Sequence, residues 1–150
     1  MAHRNPALGL AASLCLLGCG FSSAPGAWGS EPPQVQVETL LRGDRSWDGS
    51  LLPPYGPGQP EVTILRVTIP PGLRLEPHRH PLINAGVLLQ GRLQVHAEGG
   101  RSILLEAGQP LIELVNRTHY GESLGPEPAV ILVVYAGVKG QPLSVPAPGF

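Results

Sequence analysis

Cysteine is almost missing from this chain: of 150 residues only two are cysteine, Cys15 and Cys19, and both sit near the start. The rest of the chain therefore has no intramolecular disulfide to hold it, even in an oxidising compartment, and must rely on its core. Lysine occurs once, at Lys139, and the formal net charge is −1, so no basic patch exists to recruit nucleic acid. Apolar residues at the 3.6-residue spacing of an amphipathic helix are hard to find, which argues against a helical fold. There is no phosphate-binding loop and no dinucleotide-binding glycine fingerprint.

What is abundant is turn chemistry: 20 glycines and 18 prolines break the chain into short segments. The length points to one domain with a single core. Residues 1–30 read as a targeting segment, with His3 and Arg4 followed by an almost wholly apolar run from Ala7 to Phe21 that is too short to span a bilayer comfortably. Leu16-Leu17-Gly18-Cys19 resembles a bacterial lipobox, which makes Cys19 a candidate lipid anchor. Cleavage near Ala27-Trp28-Gly29 is the alternative. The expectation is export, to the periplasm or to a lipid-anchored place at the cell envelope, with no membrane contact other than that anchor. The Ser-, Pro- and Gly-rich stretch from Gly20 to Pro33 fits a flexible leader. The domain proper is expected over 34–146.

Within it, hydrophobic patterning predicts strands throughout. Val35–Leu41 alternates as a strand does, and Trp47–Gln59 is a long loop. Glu61–Ile69 is a clear strand that ends at a Pro71-Gly72 turn of type II composition. Leu73–His80 is expected as the next strand. Ile83–Leu89 and Arg92–Glu98 are expected to form a hairpin around Gln90-Gly91, with His96 on the outward, polar side. Arg101–Leu105 and Leu111–Val115 follow. Ala129–Ala136 is apolar on both parities, as in a central strand buried on both faces. Many short strands separated by turns argue for a sandwich or closed barrel.

The chemistry concentrates at His78 and His80. In a strand, side chains two residues apart share a face, so two imidazoles can aim at one point while Arg79 points away. His119 can join them if the sheet curls back on itself. The segment from Gly72 to Gly91 resembles the first motif of the cupin superfamily, G-x5-H-x-H-x3-E-x6-G, with Gly72, His78, His80 and Gly91 in register and Asn84 in the carboxylate position. Gly108 and His119 match the second motif, G-x5-P-x-G-x2-H-x3-N, while Leu114, Asn116 and Ser123 replace its Pro, Gly and Asn. SWDG from Ser46, PEVTILRVTIPPG from Pro60, HRHPLINAGVLLQG from His78 and VVYAGVKGQPLSV from Val133 are similar to small exported bacterial cupins.

The resemblance implies an all-β fold, a single small cupin-type β-barrel (double-stranded β-helix or jelly roll). It also implies a divalent transition metal held by His78, His80 and His119. Neutral imidazoles suit iron, zinc, nickel, copper and, less strongly, manganese. Asn84 and Glu113 are candidates for a fourth ligand or for an outer hydrogen bond to the site. For Glu113 an outward-facing strand charge is slightly favoured. Tyr120 and Tyr135 are read as packing residues, and Asn116 as a turn residue with positive φ. Three functions stay open: a metal-binding protein without turnover, a metal-dependent oxygenase, isomerase or hydrolase acting on a small molecule, and a metal-free structural or ligand-binding barrel. A small-molecule ligand and a homodimer are both compatible with this reading.

Overall fold

The structure, a computed structural model, describes residues 32–149. The leader, with Cys15, Cys19 and both cleavage alternatives, lies outside the described residues. Among those described, no helix forms and the regular elements are all strands. They are β1 (Pro60–Ile69), β2 (His78–Arg79), β3 (Ile83–Gln90), β4 (Arg92–Ala97), β5 (Ser102–Glu106), β6 (Pro110–Ile112), β7 (His119–Ser123), β8 (Ala129–Val138) and β9 (Val145–Pro146).

Two antiparallel sheets face each other. One has four strands in the order β1-β8-β3-β6, the other five in the order β5-β4-β7-β2-β9. Alternation directs one set of side chains from each sheet into the space between them. Ile69, Leu88, Ile131 and Val133 come from the first sheet, Leu93, Val95 and Leu105 from the second, and all are buried in one cluster. With no disulfide among these residues, this cluster is the main store of stability, at about 1.5–3 kcal/mol for each large side chain fully buried.

Several sequence expectations need correction. No strand forms over Val35–Leu41, where Val37 is 89% exposed, because those residues find no ladder to join. Leu73–His80 is not one strand: Arg74 makes an isolated bridge to Glu122, and only His78–Arg79 is regular. Pro77 and Pro81 flank the pair and limit its extension. Leu111–Val115 is likewise reduced to β6, which stops at Ile112.

The expected hairpin is absent, since β3 pairs with β8 and β6 while β4 pairs with β5 and β7. The chain instead crosses from one sheet to the other at Gly91. A register shift between Leu88 and Gln90 bends β3 just before the crossing. Gly91 has φ 76°, and a Cβ there would lie 2.4 Å from the Pro128 carbonyl oxygen, so both its conformation and its surroundings require glycine. β8 is central as expected, but it is not buried on both faces. Ala129, Ile131, Val133 and Tyr135 point inward, whereas Val134 on the other face is 38% exposed.

Candidate metal centre

Three separate pieces of backbone deliver the three histidines. His78 in β2 lies directly opposite His119 in β7, so the two side chains are cross-strand neighbours. His80 is placed by a parallel bridge to Val115, and the His80 carbonyl accepts a hydrogen bond from the backbone N–H of Asn116 (2.8 Å). Asn116 has φ 56°, as expected of a turn residue. The ring centroids lie 4.9 Å (His78–His80), 4.6 Å (His78–His119) and 5.0 Å (His80–His119) apart. One ring nitrogen from each histidine falls within 4.8 Å of the others.

The hydrogen bonds decide which nitrogens these are. Nδ1 of His78 meets the Glu76 carbonyl (2.8 Å), Nδ1 of His80 the Leu143 carbonyl (2.7 Å), and Nδ1 of His119 the Arg117 carbonyl (2.8 Å). A carbonyl can only accept, so each ring carries its proton on Nδ1 and leaves a lone pair on Nε2. Burial disfavours the charged ring and pushes His80 and His119 down to about 4, against the smaller opposing effect of their carbonyl partners. Both are therefore neutral at pH 7, the state a metal ion needs.

Glu113 corrects the expectation of an outward-facing charge. It lies one residue beyond β6, is 8% exposed, and brings Oε2 to 3.5 Å from Nε2 of His119. That Nε2 has no hydrogen-bond partner. A lone pair thus faces a carboxyl oxygen, an arrangement satisfied by a proton or a cation between them. Burial raises the Glu113 carboxyl above its ordinary range, with the His80 ring as the main opposing influence.

Asn84 of β3, opposite Tyr135 of β8, is 1% exposed, and neither amide atom has a partner. Glu113 donates its backbone N–H to the Asn84 carbonyl (3.0 Å), which puts the two side chains on adjacent chain segments. Tyr135, read from sequence as packing, lies 5.4 Å from the His80 ring and lines the same cavity, of about 510 Å3. Its place on the inward parity of β8 was the available signal. Tyr120 and His96 do belong elsewhere: their rings stack at 4.8 Å, and the Arg74 guanidinium covers Tyr120 at 3.6 Å. Arg79 is exposed, as expected.

The SWDG turn braces the site from behind. Ser46 Oγ donates to the Glu113 carbonyl (2.7 Å), Trp47 N–H donates to the Ile112 carbonyl (2.9 Å), and the buried Asp48 carboxylate pairs with Arg117, whose carbonyl orients His119. By letter, Gly121–Gly125 also spells the nucleophile pattern G-x-S-x-G, but Ser123 is fully buried within β7 and its Oγ accepts the Ala129 N–H (3.1 Å). It is a structural serine, not a nucleophile.

Comparison with known proteins agrees with this architecture. Residues 65–135 match the cupin domain family. No curated protein matches the chain. Among solved structures, an uncharacterized conserved protein with a double-stranded beta-helix domain from Klebsiella pneumoniae is similar over 75% of this chain and 100% of that one, at 20% identity and a TM-score of 0.50. Oxalate decarboxylase from Lactobacillus farciminis, in a formate complex, aligns over 57% of this chain and 26% of that one (23% identity, TM-score 0.51). The DMSP lyase DddQ from Ruegeria pomeroyi aligns over 57% and 43% (22% identity, TM-score 0.51). The chain thus spans less than half the length of either enzyme, and the likeness at these identities is one of fold. The chain is thus an all-strand, two-sheet jelly roll of the cupin type, with a cupin-domain match over residues 65–135.

Proposed function

We propose that this domain binds one divalent transition metal through Nε2 of His78, His80 and His119, with the Glu113 carboxylate as fourth ligand and Asn84 beside the centre. The observation that carries this reading is the set of three Nδ1 hydrogen bonds to backbone carbonyls. They fix ring orientation and tautomer, and they turn three lone pairs toward one point, which is how proteins prepare imidazole ligands. Imidazoles suit iron, zinc, nickel and copper, and an added carboxylate extends the range toward manganese. Such an ion supplies a Lewis acid able to polarise an oxygen of a bound molecule.

Elemental analysis of the untagged protein tests this reading. We expect about one ion per chain in the wild type and at least about tenfold less in His78→Ala, His80→Ala and His119→Ala, a loss at or above that seen on removing outer-shell support. Full occupancy in any two of the three variants would reject the shared site, and a metal-free wild type would favour the structural barrel. A second reading, an enzyme acting on a small molecule, draws support from the cavity of about 510 Å3 that opens onto the same histidines. Turnover of a bound compound by the metal-loaded protein would separate an enzyme from a carrier.

Export remains part of the proposal, on the strength of the apolar run before Cys19. Cell fractionation should find the wild type in the membrane fraction and Cys19→Ser soluble outside the cytoplasm. Both soluble would exclude the lipid anchor, and a cytoplasmic protein with its leader intact would exclude export.

A further inference from the structure

We infer that the cavity beside the histidines takes a neutral, mostly hydrocarbon molecule whose polar end carries an adjacent hydrogen-bond donor and acceptor, as in a lactam or amide, and that Asn84 recognises that end. The position of this molecule next to a metal rests on the function proposed above, whereas the part assigned to Asn84 does not.

Charge narrows the occupant first. No lysine or arginine lines the cavity, and its carboxyl groups are Glu76 and Glu113. The greater part of the wall is apolar: Val67, Ile69, Leu93, Val95, Ile131 and Val133. A dicarboxylate would have at most the metal to neutralise one end. Its other end would lie unpaired against hydrocarbon or beside Glu113, and burying an unpaired carboxylate is prohibitive. A neutral molecule meets no such cost and gains from each apolar surface it covers.

Asn84 narrows it further. The residue occupies the inward parity of β3, the parity that supplies Leu88 to the core, yet it is a carboxamide with 1% exposure. Neither Nδ2 nor Oδ1 has a partner, although the residue lines the cavity. A buried polar group left unmade costs about 1–3 kcal/mol, so two such atoms on one inward side chain mark a place where a partner arrives. A carboxamide offers one donor and one acceptor side by side. A ligand head with the complementary pair on one edge answers both atoms at once, and a cyclic amide holds its N–H and C=O in that arrangement. The volume, about 510 Å3, suits a small organic molecule and exceeds what one water needs.

The experiment uses the full chain with ε-caprolactam as the neutral probe and succinate as the dianionic one. Affinity is measured in every variant by isothermal titration calorimetry, NMR of the Asn84 side-chain amide locates the ligand in the wild type, and metal content is measured on the same samples. We expect caprolactam to bind at least about tenfold more tightly than succinate and to shift the Asn84 amide signals. Asn84→Leu should lose that preference when compared with the wild type at matched metal content. If leucine is not accommodated, Asn84→Ala makes the same test. Tighter binding of succinate, an unmoved Asn84 amide, or unchanged caprolactam affinity in the variant would overturn the inference. Should the wild type carry no metal, Asn84-dependent binding of caprolactam would still support the inference while the metal reading fails.

Discussion

Acidification from pH 7 to pH 4 should cost the metal-free domain about 3 kcal/mol of stability for the first buried imidazole that takes a proton. His80 and His119 are held down to about 4 from an ordinary 6.5, and that difference converts at 1.36 kcal/mol per pH unit. Above pH 6.5 both rings are neutral whether the chain is folded or unfolded, so they contribute no pH dependence there. Below 6.5 the unfolded chain takes up protons that the folded one refuses, and stability falls until pH approaches 4. The two rings lie 5.0 Å apart, so in the folded chain protonating one opposes protonating the other, and this repulsion deepens the combined loss. Glu113 acts in the opposite direction. Its raised carboxyl contributes stability below the ordinary carboxylate range, and that contribution is lost as pH rises through its folded value. Denaturant unfolding of metal-free Glu113→Gln protein between pH 4 and pH 8 removes that opposing contribution, and a level profile between 6.5 and 4 in this variant would show that the rings are not held neutral by burial.

Glu113→Gln should weaken divalent-metal binding by at least about tenfold, because it removes the only charged ligand in the proposed set. Without metal the same substitution should raise stability at alkaline pH, where the native carboxyl must ionise in a buried place. The opposite signs matter: a residue that merely packs would shift both forms alike. Metal titration followed by thermal unfolding of loaded and metal-free protein reads both effects, and equal shifts in the two forms would remove Glu113 from the ligand set.

The His78 and His80 pairing was legible because strand parity is local: two residues at i and i+2 need only an extended backbone to share a face. The overall class was legible for the same reason, since turn residues and alternation are properties of short windows. Glu113 shares the parity of Leu111, which is buried, so its inward direction was available from the pattern; the charge itself argued for the wrong face. Gly91 was misread as a hairpin turn because a hairpin and a crossing between sheets both want positive φ. What separates them is the approach of Pro128, far along the chain, and no local pattern records it. β8 was misread because its apolar outward residues look the same in sequence whether or not anything covers them.

The hydrogen bonds that orient the centre reach far along the chain: Leu143 lies 63 residues from His80, and Ser46 lies 67 from Glu113. Contacts of such separation form late, after the closure of long loops has been met by collapse of the core. A chain still emerging during synthesis, or one truncated before Leu143, holds His78 and His80 without the carbonyl that sets the second ring. On the function proposed above, a metal ion would therefore find all of its ligands in place only in the finished barrel.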